Sequence, residues 1–162
     1  MARTTPAVLA HVDDTRAFGR ALGGLLRAGD LVLLTGDLGA GKTTLAQGIA
    51  EGLQVRGPIT SPTFVIARVH PSLVDGPDLV HVDAYRLGGL DELDDLDLDT
   101  TLEIAVTVVE WGHGLAEGLT DDRLEVVLVA DPGTEARTVT VAAHGARWEG
   151  VDLSTLARWG GS

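Results

Sequence analysis

The sequence contains no cysteine, and this absence removes several kinds of chemistry at once. Disulfides, thiolate zinc sites and cysteine nucleophiles are all excluded. Aromatic residues make up only 4% of the chain, so valine, leucine and alanine have to build its core. That composition favours a sheet packed with helices over an aromatic-rich binding platform.

Basic residues are also scarce. The chain has 12 lysines and arginines against 24 aspartates and glutamates, which gives a formal net charge of −12. Such a surface repels phosphate backbones, so direct binding of DNA or tRNA is not expected unless basic residues cluster locally. No apolar run reaches the length of a membrane span, and the residues before Asp13 lack the apolar core of a signal peptide. We therefore expect a cytoplasmic protein with no membrane partner.

The length of 162 residues suits one domain with a proper core and is too short for two. We find no internal repeat, low-complexity tract or linker that would divide the chain. The expectation is one domain over residues 1–162, with its core at about 13–145 and a short C-terminal tail.

The most informative stretch is residues 31–44, LVLLTGDLGAGKTT. A short apolar run leads into GxxxxGK[ST] with every fixed position filled, and a helix-forming pattern follows. The glycines allow successive N–H groups to turn around an anion at the start of a helix. Lys42 is then placed to reach the β- and γ-phosphates, and the Thr43 hydroxyl to ligate Mg²⁺. The predicted nucleotide-contacting residues of the loop are Asp37, Leu38, Gly39, Ala40, Gly41, Lys42, Thr43 and Thr44.

Other site motifs are absent or incomplete. A dinucleotide-binding fingerprint fails because Thr44 occupies its third glycine position. The sequence has no GxSxG elbow and no HExxH zinc motif.

The remaining pattern predicts alternating helices and strands. Gly48 and Gly52 lie in the helix that follows the phosphate loop, and close packing against the sheet would explain them. One predicted helix is capped by Asp13, Asp14 or Thr15. The predicted helices cover residues 15–28 and 44–53, and the predicted strands cover 64–69 and 79–85 as a hairpin, 104–109, and 123–130 and 137–143 as a second hairpin.

Two predicted strands end in a carboxylate. Asp83 follows the apolar run of residues 79–82, and Glu110 follows that of 106–109. If these strands run parallel to the phosphate-loop strand, both acids emerge at the ligand-binding edge of the sheet, where either is suited to hold Mg²⁺. His81 lies on the same strand face as Asp83, and the residues alone are equally compatible with a core histidine and a functional one.

Two further segments carry notable side chains. Thr60, Ser61 and Thr63 lie in a proline-rich loop, at a place where phosphate-loop proteins carry a segment that senses the γ-phosphate; an ordinary loop fits the residues equally well. Residues 88–100 are acidic with regularly spaced leucines, which favours an amphipathic element with a solvated face. A calcium loop is excluded, because Thr100 stands at its required glycine.

Together these motifs resemble the TsaE family. The phosphate loop, TSPTF at 60–64, HVDAYR at 81–86 and VVEWGHGL at 108–115 occur in the family's order and spacing, and the resemblance covers about residues 15–143. The family's members are bacterial P-loop ATPases needed to make N6-threonylcarbamoyladenosine in tRNA. The resemblance implies an α/β fold, a P-loop NTPase-like three-layer domain with a mixed β-sheet.

The resemblance also implies roles. It implies weak ATPase activity with ATP and Mg²⁺, and association with the TsaB–TsaD pair, in which TsaD transfers the threonylcarbamoyl group. Lys42 and Thr43 would bind phosphates and Mg²⁺, Glu110 would be a second Mg²⁺ contact, and Asp83 would organise the metal shell or the attacking water.

Six further positions match the family's motifs or depart from them. Thr60, Ser61 and Thr63 would form a switch-like loop, Trp111 would brace the site or the partner surface, and Thr15 would approach the adenine. His70 departs from the family, in which many members have tyrosine.

Two alternatives use the same loop. A small-molecule kinase needs an arginine-rich lid, whereas the arginines here are spread singly. A nucleotide-dependent binding module would need no productive hydrolysis. Under the family resemblance, the acidic charge indicates that a partner, and not this chain, holds the tRNA.

Overall fold

The computed structural model of the chain describes residues 2–3, 7–36, 41–57, 67–83, 103–110, 122–151, 153 and 156, with the backbone alone at 2–3, 67–68 and 83. Within these ranges the chain forms eight strands, two α-helices and a short 3-10 helix. Their bounds are β1 Ala2–Arg3, β2 Ala7–Leu9, α1 Val12–Gly23, β3 Leu31–Thr35, α2 Lys42–Leu53, β4 Ala67–His70, β5 Asp78–Asp83, β6 Ala105–Glu110, β7 Arg123–Ala130, β8 Arg137–His144 and the 3-10 helix Ala146–Trp148.

The strands form one mixed sheet in the order β1-β8-β7-β3-β6-β5-β4, and β2 also pairs with β8. β3 lies in the interior of the sheet and runs parallel to both of its neighbours, β6 and β7. β5 is parallel to β6. The carboxyl ends of β3, β5 and β6 therefore lie at one edge of the sheet, which is the edge where α/β folds bind ligands.

The two predicted hairpins are confirmed. β4 and β5 pair antiparallel, as do β7 and β8 around the turn that follows Ala130. The mixed α/β sheet is also confirmed. Both described helices share one hydrophobic core with the sheet.

Helix α1 differs from its predicted bounds at both ends. Its N-cap is His11, and Asp14 acts from inside the first turn, where its carboxylate accepts a hydrogen bond of 3.1 Å from the His11 backbone N–H. The helix ends at Gly23, five residues early, because two adjacent glycines weaken it and single turns follow. Leu26 is nevertheless buried beyond the helix end.

The core lies between the sheet and the helix pair. β3 and β6 are buried along nearly their whole length, as expected for parallel strands covered by other elements. Members of this core from the helices and the sheet include Phe18, Leu22, Leu45, Ile49, Val32, Leu34, Val106, Val108, Leu124 and Val126.

Gly48 and Gly52 correct an expectation, since they face α1 and not the sheet. A Cβ added to Gly48 would lie 2.2 Å from the Arg16 carbonyl oxygen, and one added to Gly52 would lie 2.4 Å from that of Arg20. Glycines of α1 occupy the other side of the contact, so the backbones of the two helices touch directly. In the part of the chain described here, no helix is long and apolar enough to cross a membrane.

Candidate functional site

The phosphate loop connects β3 to α2. Gly36 follows the last residue of β3, and Gly41 precedes the first residue of α2. Gly41 has φ +98° and ψ +16°, a left-handed conformation that a residue with a Cβ resists, so the glycine of the motif is required here. Residues 37–40, which include the predicted contacts Asp37, Leu38, Gly39 and Ala40, lie outside the described residues.

Lys42 connects the two ends of the phosphate-loop motif. Its Nζ donates a hydrogen bond of 2.6 Å to the carbonyl oxygen of Gly36, at the other end of the motif. The residue is 5% exposed, which is unusual burial for a lysine. A buried ammonium directed across a glycine-rich turn provides the point charge that binds phosphate.

The start of α2 has the properties of an anion site. No described side chain caps it, and its first turn holds no acidic residue. The first N–H groups of an α-helix have no partner within the helix, and the helix dipole adds positive potential there. Thr43 and Thr44 lie in this first turn and are half-buried. Backbone amides, Lys42 and the helix start thus converge on one position suited to phosphate.

The structure brings both predicted acids to this edge. In the parallel pairing, Glu110 lies opposite Leu34 of β3 on one side and opposite Asp83 of β5 on the other. Glu110 therefore ends the strand next to β3, and Asp83 ends the strand beyond that one. Neighbouring strands in a sheet are about 4.8 Å apart. The expectation that these strands run parallel to β3 is confirmed.

Glu110 is held by His81. Glu110 is 5% exposed and His81 is fully buried, and His81 Nε2 hydrogen-bonds Glu110 Oε2. The sequence left open whether His81 is a core histidine or a functional one. In the structure it is buried in the core and also contacts Glu110, one of the two predicted site acids.

Thr15 and Arg137 approach the loop from outside it. A Cβ built on Gly41 would lie 3.9 Å from Thr15 Cγ2 and 3.7 Å from Arg137 Nε, so both side chains line the same glycine. The structure places Thr15 beside the loop, and its contact with the adenine stays a prediction. Arg137 is a residue that the sequence analysis missed, because it opens an alternating strand and belongs to no motif.

The protein ligands for a metal are few. Within the described ranges, no group of three or more His, Cys, Asp or Glu side chains is arranged to hold a metal ion. Mg²⁺ commonly uses one or two protein oxygens together with phosphate oxygens and waters, so Glu110 and the Thr43 hydroxyl suit Mg²⁺ bound with a nucleotide better than a metal held by the protein alone. Thr60, Ser61, Thr63, Trp111 and segment 88–100 lie outside the described residues.

Comparisons with known proteins agree with these features. A family model described as "Threonylcarbamoyl adenosine biosynthesis protein TsaE" matches residues 9–139. A relative from Streptomyces coelicolor, named tRNA threonylcarbamoyladenosine biosynthesis protein TsaE, is 64% identical over 146 residues, covering 88% of this chain and 99% of the relative. The protein of the same name from Bacillus subtilis is 39% identical over 139 residues, covering 85% and 84%.

A solved structure is also similar. The crystal structure of Bacillus subtilis YdiB superposes with a TM-score of 0.71 at 34% sequence identity, and the alignment covers 97% of this chain and 95% of that one. The phosphate loop and the acidic strand ends described above therefore lie in a fold that other members of one family share.

Proposed function

This chain belongs to the TsaE family and takes part in the biosynthesis of threonylcarbamoyladenosine in tRNA, and from that premise we propose that it acts as a magnesium-dependent, slow ATPase. The observation that carries the proposal is the position of Lys42 across the β3–α2 loop, beside a strand that ends in Glu110. In this proposal the chain works as a single P-loop domain in the cytoplasm.

Each residue at the sheet edge has a defined role in the proposal. Lys42 and the amides at the start of α2 hold the β- and γ-phosphates of ATP. The Thr43 hydroxyl and the Glu110 carboxylate would hold Mg²⁺, which would supply positive charge to offset that of the phosphates. Asp83, on the next strand, organises the metal's water shell or the attacking water. Thr15 and Arg137 contact the nucleotide beside Gly41.

The partners in the proposal follow from charge. A chain of net charge −12 does not attract tRNA, so the substrate has to be held by other subunits. We propose that homologues of TsaB and TsaD are those subunits, and that ATP turnover resets or drives their complex between modification cycles.

Lys42 permits a sharp test, because it is the only lysine in the sequence. An acyl-phosphate derivative of ATP transfers its acyl group to amines near the γ-phosphate, so it should label Lys42 in the presence of Mg²⁺. Excess ATP should block this labelling, and peptide mass spectrometry locates the site. Labelling confined to the N-terminal amine would contradict the proposal.

Binding measurements complete the test. We expect Lys42→Ala to weaken Mg²⁺–ATP binding about 10- to 100-fold, as is typical for loss of a charged hydrogen bond. Arg27→Ala is the control, since it removes one positive charge from an exposed residue.

Assays of ATP turnover with and without TsaB–TsaD, and with small-molecule acceptors, separate the ATPase from a kinase. Asp83→Asn and Glu110→Gln should abolish hydrolysis and tRNA modification together; modification without hydrolysis would favour a binding module.

A further inference from the structure

The acid nearest to the phosphate loop has a dedicated partner on the next strand. His81 of β5 lies opposite Val108 of β6, and its ring reaches forward to Glu110, two residues further along β6. Both residues are buried, at 0% and 5% exposed. A buried carboxylate needs a hydrogen-bond donor, and within the described residues His81 supplies it.

The contact defines which ring nitrogen carries the proton. A carboxylate oxygen only accepts hydrogen bonds, so Nε2 of His81 is the donor to Glu110 Oε2. Nδ1 of the same ring is buried and has no hydrogen-bond partner in the described part of the chain. The geometry therefore selects the Nε2–H tautomer, in which Nδ1 is an acceptor and leaves no buried donor unpaired.

The same contact determines which oxygen of the Glu110 carboxylate can bind a cation. With Oε2 engaged by His81, Oε1 is the carboxylate oxygen without a described partner. A hydrogen bond from a buried ring on a sheet strand restricts the carboxylate to one orientation, as residues behind metal ligands commonly do.

We propose that His81 is a positioning residue that orients the Glu110 carboxylate towards the Mg²⁺ bound with ATP. This inference rests on the proposed function. It assigns to His81 a role that its burial alone does not require, since a purely structural histidine would affect folding but not the magnesium requirement.

The test compares two amide variants. In glutamine the side-chain nitrogen lies three bonds from Cβ, like Nε2 of histidine, whereas in asparagine it lies two bonds away, like Nδ1. His81→Gln therefore keeps a donor able to reach Glu110, and His81→Asn does not. ATP binding is titrated with Mg²⁺ in each variant and is also measured in EDTA.

We expect His81→Asn to raise the Mg²⁺ concentration for half-maximal tight binding about 10- to 100-fold. His81→Gln should stay within about threefold of the wild type, and ATP affinity in EDTA should be the same in all three proteins. Equal Mg²⁺ requirements in the wild type and a folded His81→Asn variant would overturn the inference. Failure of the wild type itself to need Mg²⁺ would instead contradict the proposed ATPase.

A second measurement covers the case in which His81→Asn does not fold. Nuclear magnetic resonance of the wild type with ¹⁵N-labelled histidine should show the His81 ring as the Nε2–H tautomer. Its proton resonance should move when Glu110 is replaced by glutamine and when Mg²⁺–ATP is added. An Nδ1–H tautomer, or a resonance indifferent to both changes, would contradict the positioning role.

Discussion

Asp30 and Arg147 form a buried ion pair at the end of β3 opposite to the phosphate loop. Arg147 donates from Nε to Asp30 Oδ1 at 2.9 Å and from Nη2 to Oδ2 at 3.0 Å, and Nη2 also donates to the Leu25 carbonyl oxygen. Asp30 is 3% exposed. The two parallel hydrogen bonds fix the turn before β3 to the segment after β8.

Removing the arginine should be costly, because it leaves a buried carboxylate without its charged partner. We expect Arg147→Ala to lower the free energy of unfolding by about 3–5 kcal/mol. Urea denaturation measures this difference, and Arg27→Ala, at an exposed position, should stay within about 0.5 kcal/mol of the wild type. A loss of stability below about 1 kcal/mol would contradict a stabilising role for the ion pair. A changed ATP affinity in the folded variant would contradict a purely structural one.

Glu125 is the acid whose ionisation has a clear structural cause. Burial by itself would raise the pKa of the Glu125 carboxyl, but hydrogen bonds from His144 and Arg123 outweigh it and lower the pKa below its ordinary value. Its Oε2 lies 3.0 Å from His144 Nε2, and its Oε1 lies 3.3 Å from Arg123 Nε. A lowered pKa in the folded state contributes stability above the ordinary pKa and loses it as pH falls through the folded value.

The sign of this linkage can be tested with Glu125→Gln. At pH 6 the variant should be less stable than the wild type by under about 1 kcal/mol, since the Glu125 side chain is only partly buried and solvent screens its charge interactions. The difference should shrink as the pH falls through the lowered folded-state pKa of Glu125, where the wild-type carboxyl takes up a proton and becomes neutral like the glutamine. Glu103→Gln, at an exposed turn residue, controls for the loss of one surface charge. A difference that grows in acid would contradict the assigned cause.

The contact between α1 and α2 is determined by glycines. Gly19 and Gly23 of α1 face Gly48 and Gly52 of α2, with no room for a Cβ at any of the four. Because α2 begins at the phosphate loop and α1 carries Thr15, this crossing also fixes the distance between two parts of the site.

A single methyl group should disturb that crossing. We expect Gly48→Ala to destabilise the fold by about 1–3 kcal/mol or more, since its Cβ would lie 2.2 Å from a backbone oxygen that cannot rotate away. Gly24→Ala is the matched control: Gly24 has right-handed helical angles, and its Cβ would meet nothing closer than 3.5 Å. That variant should be neutral or more stable by about 0.4–1 kcal/mol. Similar thermal unfolding of the two variants would argue against a tight crossing.

Elements with strong local signals were predictable from sequence. The strand before the phosphate loop, the helix after it and both hairpins depend on neighbouring residues, and the structure has these elements where the pattern indicated. Partners across the fold were not predictable in this way. The sequence predicted close packing at Gly48 but assigned it to the sheet, because no local pattern shows that a second helix lies there. No local pattern places Arg137 beside Gly41 either. The His81 contact required the register of β5 on β6.

At the scale of the whole molecule, the net charge of −12 sets how the chain meets nucleic acid. We expect the isolated protein to bind tRNA more weakly than about 100 µM at 150 mM salt, below ordinary nonspecific affinity. Fluorescence anisotropy with labelled tRNA at 50 and 200 mM salt measures this. A salt-sensitive affinity in the micromolar range would mean that basic residues cluster locally and that the chain contacts tRNA without a partner.

β3 is five residues long and therefore about 17 Å from end to end. Its first residue follows Asp30, and its last leads into the loop that Lys42 closes. In a bacterium that depends on this protein, a defect at the Asp30 end would reduce how much intact protein survives quality control, and overexpression should restore growth. Under the proposed function, a defect at the Lys42 end would leave normal amounts of folded protein that does not bind ATP, so overexpression should not restore growth.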